Sequence, residues 1–112
     1  ADFAGYFGIA YQIRDDLNEL HENNDLKHAF DFPFLLSLLN QSINGHSPSF
    51  QEIIRTGDLA LLLENFKQFE TETTAVKFLD DYLQKCYAEL DKLQNRKMRL
   101  SLYGVMGKVF KL

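Results

Sequence analysis

The chain has 112 residues, of which 46% are hydrophobic and 25% are charged, and its formal net charge at pH 7 is −4. These values are typical of a soluble globular protein with one compact domain. Lysine and arginine form no block along the chain, which disfavours a nucleic-acid-binding protein, and no apolar run has the length of a membrane span. The single cysteine, Cys86, has no partner for an internal disulfide, which favours a reducing, cytoplasmic location.

Apolar residues recur at intervals of three and four, and no stretch alternates strictly between apolar and polar residues. This spacing predicts an all-α protein. The first predicted helix runs from about Phe3 to about His21 and ends in the polar stretch 22–25. The second runs from about Pro33 to Ile43 and is apolar nearly all round, which is typical of a buried helix. Proline suits its first turn because the missing N–H would be unpaired there.

Capping signals divide the second half of the chain into further helices. Ser49 is a predicted N-cap, and Glu52 three residues later completes a capping box that opens a short helix. Asp58 and Asn95 are predicted to cap two later helices. Between those two lies the longest helix, which follows a break at the threonines of residues 71–74.

The start of the chain is unusual for a natural protein. The first residue is Ala1 rather than Met, and residues 1–8 already have the pattern of the middle of an apolar helix. Several predicted helices have apolar faces broader than the rest of the chain can cover. We therefore expect residues 1–112 to be one part of a larger helical domain.

Polar and acidic side chains cluster on one face of the first predicted helix. Residues four apart lie one turn apart, so Asp15 and Glu19 project together, with Gln12 one turn earlier and Asp16 and Asn18 beside them. Magnesium prefers carboxylate oxygens and completes its octahedron with water and phosphate, so this face suits a hard cation. A solvated acidic surface explains the same spacing. Spacing alone therefore leaves both interpretations open.

The run from Gly8 to Asp16, with the sequence GIAYQIRDD, resembles the second aspartate-rich region of the trans-isoprenyl diphosphate synthases, the polyprenyl synthetase family. In that family a glycine and a few apolar residues precede Phe or Tyr, then Gln, two residues and Asp-Asp-x-x-Asp. The downstream order is also similar: a polar loop, a Phe-Pro pair that opens an apolar helix, a long amphipathic helix and a short final one. The resemblance spans the whole chain, with its specific motifs in the first third.

The resemblance implies that residues 1–112 are the C-terminal helices of a bundle of the isoprenoid synthase type. It also implies a magnesium-dependent prenyltransferase that joins isopentenyl diphosphate to an allylic diphosphate. Magnesium neutralises the departing diphosphate, and the double bond of isopentenyl diphosphate then attacks the allylic cation. The first aspartate-rich motif of the family lies in the N-terminal part. The chain alone is therefore expected to be inactive, and the full-length protein to be a cytoplasmic homodimer.

The resemblance also implies a role for each matching residue. Asp15 is expected to bind magnesium directly, and Asp16 to position waters or hold that ligand in place. Glu19 occupies the last position of the motif and is expected to reach the ion through water. Gln12 is expected near the substrate diphosphate or the reacting allyl group. Tyr11 matches an aromatic position that faces developing positive charge, although ordinary packing explains a tyrosine there equally well.

The chain departs from the family pattern at two places. Glu19 stands where the family has aspartate, and His28 and Ala29 stand where it has a Gly-Lys pair that contacts diphosphate. Lys27 lies beside that pair and is the candidate for the same contact. These departures favour an alternative, a non-catalytic homologue that acts as a regulatory or partner subunit. A third possibility is a helical interaction module with no link to isoprenoids, which the Tyr11–Asp16 segment disfavours.

Overall fold

Six α-helices and no strand make up the part of the chain that the computed structural model describes, which is residues 2–22, 30–46 and 48–111. The predicted all-α class is therefore confirmed. In chain order, the helices are α1 (Phe3–Glu22), α2 (Pro33–Ile43), α3 (Phe50–Thr56), α4 (Leu59–Gln68), α5 (Thr71–Asp91) and α6 (Arg96–Phe110). None of the described helices is both long and apolar enough to cross a membrane.

The three predicted N-caps are confirmed. The side chains of Ser49, Asp58 and Asn95 each accept a hydrogen bond from the backbone N–H three residues later, at 3.0 to 3.2 Å. Each bond satisfies one of the donors that the first turn of a helix leaves without an intrahelical partner. The predicted break at residues 71–74 lies slightly earlier in the structure, because Glu70 takes a left-handed conformation (φ +52°) and the threonines form the first turn of α5.

Helices α1 and α5 form the centre of the fold and run antiparallel. The ring of Tyr6 near the start of α1 contacts that of Tyr82 in the second half of α5. At the other end, the imidazole of His21 pairs with the carboxylate of Glu72 in the first turn of α5. The two longest helices therefore lie against each other along most of their length, and the others pack around this pair.

The apolar core consists of two clusters on either side of the middle of α1. The buried stripe of α1 contributes Ala10 to one and Ile13 and Leu17 to the other. Cys86 is fully buried, as predicted. The larger cluster also contains the buried residues Phe32, Leu35, Leu38, Leu39, Ile43, Ile53, Leu62, Phe66 and Ala75. The smaller one adds Leu83, Cys86, Leu90 and Met106.

The molecule is thin, with principal extents of 52 × 30 × 18 Å. An α-helix with its side chains is about 10–12 Å across, so the shortest extent is less than two full helix diameters. Helix α2 has a buried side and a solvent side in this arrangement. Leu35, Leu38 and Leu39 are buried, and Ser37, Asn40 and Gln41 are exposed. The prediction of a buried helix is therefore right for one side of α2 and wrong for that polar side. The helices thus form an open layer that leaves one side of α1 uncovered.

Candidate functional site

The predicted acidic face of α1 lies on its outer side. Ile13 and Leu17 are 0% and 7% exposed and anchor the opposite side of the helix in the core. The side chain of Asp15 is 44% exposed, and Gln12 and Glu19 are exposed. The apolar stripe therefore fixes the rotation of α1, and that rotation turns Asp15 and Glu19 outward, one turn apart.

Arg14 also contacts this face, and it was not among the site residues predicted from the sequence. Its Nη2 lies 2.9 Å from Oδ1 of Asp15, and the guanidinium carbon lies 4.7 Å from the centroid of the Tyr11 ring. Arginine three residues after an aromatic residue on a helix is placed for such a cation–π contact, and this spacing is the signal in the sequence. Arg14 therefore links the aromatic and acidic parts of the motif.

Tyr11 is 42% exposed and has two aromatic or cationic neighbours. Its ring stacks on that of Phe7 one turn earlier, with centroids 6.3 Å apart, and Arg14 lies over the ring. The structure thus gives Tyr11 an accessible ring that already interacts with a cation of the same helix. Its expected contact with positive charge on a substrate stays a prediction.

Asp16, the second aspartate of the pair, lies in a different environment from Asp15. It is 4% exposed, and its Oδ2 accepts hydrogen bonds from the backbone N–H groups of Phe34 at 2.9 Å and Leu35 at 3.2 Å. The other oxygen, Oδ1, lies 3.5 Å from Nε2 of Gln12. Phe34 and Leu35 belong to the first turn of α2, so Asp16 caps that helix from α1.

Burial raises the pKa of the Asp16 carboxyl above its ordinary value, because the charged form loses its water. The N–H groups of Leu35 and Phe34 and the amide of Gln12 act in the opposite direction by donating to the charge, and the carboxylate of Glu19 raises the pKa further. The net direction is upward. Loss of hydration therefore outweighs the hydrogen bonds that stabilise the anion.

The described residues fit one part of a magnesium site. Asp15 and Glu19 supply two outward carboxylates, while Asp16 is directed at α2. Within residues 2–22, 30–46 and 48–111, no group of three or more His, Cys, Asp or Glu side chains is placed to hold a metal ion. A magnesium ion here would therefore need further oxygen ligands, such as those of water and diphosphate. Lys27, His28 and Ala29 lie outside the described residues, and so does the expected contact of Lys27 with diphosphate.

A pocket of about 430 Å³ lies beyond the end of the acidic face and was not predicted from the sequence. It combines Leu20 of α1 with apolar and charged side chains of α4, α5 and the joint between them, which lie more than 40 positions later in the chain, so no local pattern indicates it. Its lining consists of Leu20, Leu63, Phe66, Lys67, Glu70, Glu72 and Thr73. Leu20 of α1 lines the pocket, whereas Asp15 and Glu19 do not.

Comparisons with protein-family models, curated proteins and solved structures found no match to this chain. What supports a function is the arrangement of α1 and α2. Two outward carboxylates, an inward carboxylate and an arginine lie within two turns of α1 and adjoin the first turn of α2.

Proposed function

We propose that this chain is the C-terminal part of a magnesium-dependent prenyltransferase that joins isopentenyl diphosphate to an allylic diphosphate. The proposal starts from the resemblance of the run Gly8–Asp16 to the second aspartate-rich region of isoprenyl diphosphate synthases. One structural observation supports it above all. The helix that carries this run buries Ile13 and Leu17 and leaves Asp15 and Glu19 outward, one turn apart.

In this proposal each residue of the α1 face has a defined role. Magnesium supplies positive charge that stabilises the departing diphosphate. Asp15 would hold the ion directly and Glu19 would hold it through water, and Arg14 would balance the charge of Asp15 when the ion is absent. Gln12 is exposed and presents its amide near the substrate, and Lys27 contacts diphosphate. The remaining ligands come from the rest of a helical bundle of the isoprenoid synthase type, in a cytoplasmic homodimer.

The open form of the helical layer is a further support. Helix α1 has exposed residues Gly8, Ile9 and Tyr11 on the side that the other described helices leave uncovered. In the proposed enzyme, that side faces the reaction cavity and the helices that carry the first aspartate-rich motif. An apolar and aromatic wall beside two carboxylates suits a substrate with a hydrocarbon tail and a diphosphate head.

A non-catalytic homologue is the second candidate. The ion pair of Asp15 with Arg14 favours it, because this contact occupies the carboxylate expected to bind magnesium. The contact of Asp16 with α2 favours it too, since it removes one acid from the face. Such a protein would keep the bundle as a regulatory or partner subunit and would lack the chemistry.

The test uses the full-length protein, both diphosphate substrates and a magnesium titration. We expect magnesium-dependent chain extension, and we expect Asp15→Asn to lower it by about 100-fold or more, as the loss of a charge-stabilising group does in other enzymes. Asp81→Asn, which neutralises an exposed acid of α5, is the matched control and should leave the rate unchanged. Extension that survives Asp15→Asn contradicts the role of Asp15. No extension with any allylic primer favours the non-catalytic homologue.

A further inference from the structure

We infer that the two adjacent aspartates have separate roles: Asp15 faces the ligand, and Asp16 is a positioning residue that fixes the first turn of α2 onto α1. The part about Asp15 rests on the proposed function. The part about Asp16 rests on hydrogen bonds within the chain and stands without it.

The helical geometry of α1 separates the two side chains. Successive residues of an α-helix are rotated by about 100° from each other, so neighbours in sequence do not share a face. Asp16 lies three residues after Ile13 and four before Leu20, and both of these pack in the larger core cluster. Asp16 therefore lies on the buried stripe of α1, where it is 4% exposed, whereas the side chain of Asp15 is 44% exposed.

The first turn of α2 explains why an acid is placed on a buried stripe. The N-cap residue Phe32 has no side-chain acceptor, and Pro33 has no N–H to donate. The N–H of Leu36 donates to the carbonyl of Phe32 at 2.9 Å. The N–H groups of Phe34 and Leu35 remain, and both donate to Oδ2 of Asp16. One carboxylate on α1 thus satisfies both remaining donors of the first turn of α2.

The same carboxylate also contacts the acidic face of α1. Its second oxygen lies 3.5 Å from the amide nitrogen of Gln12, which is exposed one turn earlier on α1. A change at Asp16 therefore moves α2 relative to α1 and releases the amide of Gln12 together. For Asp16 to bind a metal ion, its oxygens would have to leave these donors, at the cost of one buried and one partly buried N–H group without a partner.

Two substitutions separate the acceptor role from the charge. Asp16→Asn keeps a carbonyl oxygen that can accept from Phe34 and Leu35, while Asp16→Ala removes it. We expect Asp16→Ala to lower the equilibrium constant for folding by about 100-fold, the effect of leaving one buried and one partly buried donor unpaired. We also expect it to shift the amide proton resonances of Phe34 and Leu35, and we expect Asp16→Asn to retain both the stability and the hydrogen-bonded shifts. Asp15→Asn, the control at the adjacent position, should leave the folding equilibrium and the amide resonances of Phe34 and Leu35 unchanged.

Activity in the full-length protein tests the positioning role. At a temperature where Asp16→Ala is fully folded, we expect its kcat to fall by about tenfold or more, as for changes to groups that orient metal ligands, and Asp16→Asn to restore most of it. An unchanged kcat in folded Asp16→Ala would refute positioning. Loss of magnesium affinity in Asp16→Asn equal to that in Asp15→Asn would make Asp16 a ligand and overturn the inference. If neither the wild type nor any variant binds magnesium, the proposed function is wrong. The amide resonances of Phe34 and Leu35 then decide on their own whether Asp16 caps α2.

Discussion

Ile13 offers the sharpest test of how α1 is seated on the core. It is 0% exposed and lies between Gln12 and Arg14, so its burial determines the rotation that turns the acidic face outward. We predict that Ile13→Ala lowers the free energy of unfolding far more than Ile9→Ala. Ile9 is the same residue type, one turn earlier on the same helix, and is 37% exposed.

The expected magnitude follows from the burial of the two side chains. Ile13→Ala removes three carbon groups from the core, which at about 0.8 kcal/mol each costs about 2.4 kcal/mol. The cavity left in the larger core cluster raises the cost to about 3–4 kcal/mol. Ile9→Ala loses less buried surface and gains helix propensity, so its cost should stay below about 1 kcal/mol.

Urea unfolding followed by circular dichroism at the helical band measures both variants under identical conditions. The slope of the transition should be the same as for the wild type, because the change affects stability and not the surface exposed on unfolding. A difference of less than about 1 kcal/mol between Ile13→Ala and Ile9→Ala would contradict the burial of Ile13, and with it the orientation of the acidic face. Both variants replace isoleucine by alanine in the same helix, so a difference in helix propensity cannot explain that outcome.

Three further predictions concern single groups. Because the pKa of Asp16 is raised, the native state holds this proton more tightly than the unfolded chain does. As the pH rises from below 3.8 through the higher native pKa, the free energy of unfolding should therefore fall relative to that of Asp16→Asn. Urea titrations of both proteins at several pH values will measure this difference. Asp58→Ala should cost about 1 kcal/mol by removing the cap of α4, with Asp81→Ala on the exposed side of α5 as the control in thermal unfolding. The thiol of Cys86 is fully buried, and burial raises its pKa, so a thiol reagent should label it only as fast as the protein opens. Urea should accelerate the labelling, and rapid labelling of the native protein without urea would contradict the burial of Cys86.

Local features of the fold were predictable from the sequence because their causes lie within a few residues. The side chains of Ser49, Asp58 and Asn95 cap helices through N–H groups three residues away, and each stands before an apolar run of helical period. The stripe of α1 is equally local, since its members recur at three and four residues. The left-handed conformation of Glu70, by contrast, is typical of glycine. Because Glu70 is not a glycine, the sequence does not show that the break between α4 and α5 lies before the threonines.

A supporting role for Asp16 beside the expected direct ligand Asp15 was predicted from the family resemblance. Its cap on α2 was not predicted, because that contact joins residues far apart in the chain. Asp16 and Phe34 are 18 positions apart, and the cap depends on where α2 packs against α1. A partial signal was present in the sequence. Asp16 falls three residues after Ile13, on the apolar stripe, and a buried acid requires donors from another element. The first turn of α2, which Pro33 opens, is such an element, because its N–H groups have no partners within the helix.

The strengths of the contacts decide which acid of the pair is available to a cation. The ion pair of Asp15 with Arg14 is partly exposed, and such surface pairs contribute at most about 1 kcal/mol, so a divalent ion competes with it easily. Asp16 accepts two backbone hydrogen bonds in a buried setting, and breaking them leaves donors whose burial costs about 1–3 kcal/mol each. The arginine therefore weakens the case for catalysis very little. The cap on α2 therefore disfavours direct binding by Asp16, and under the proposed function Asp15 and Glu19 are the carboxylates of this helix that a magnesium ion would meet.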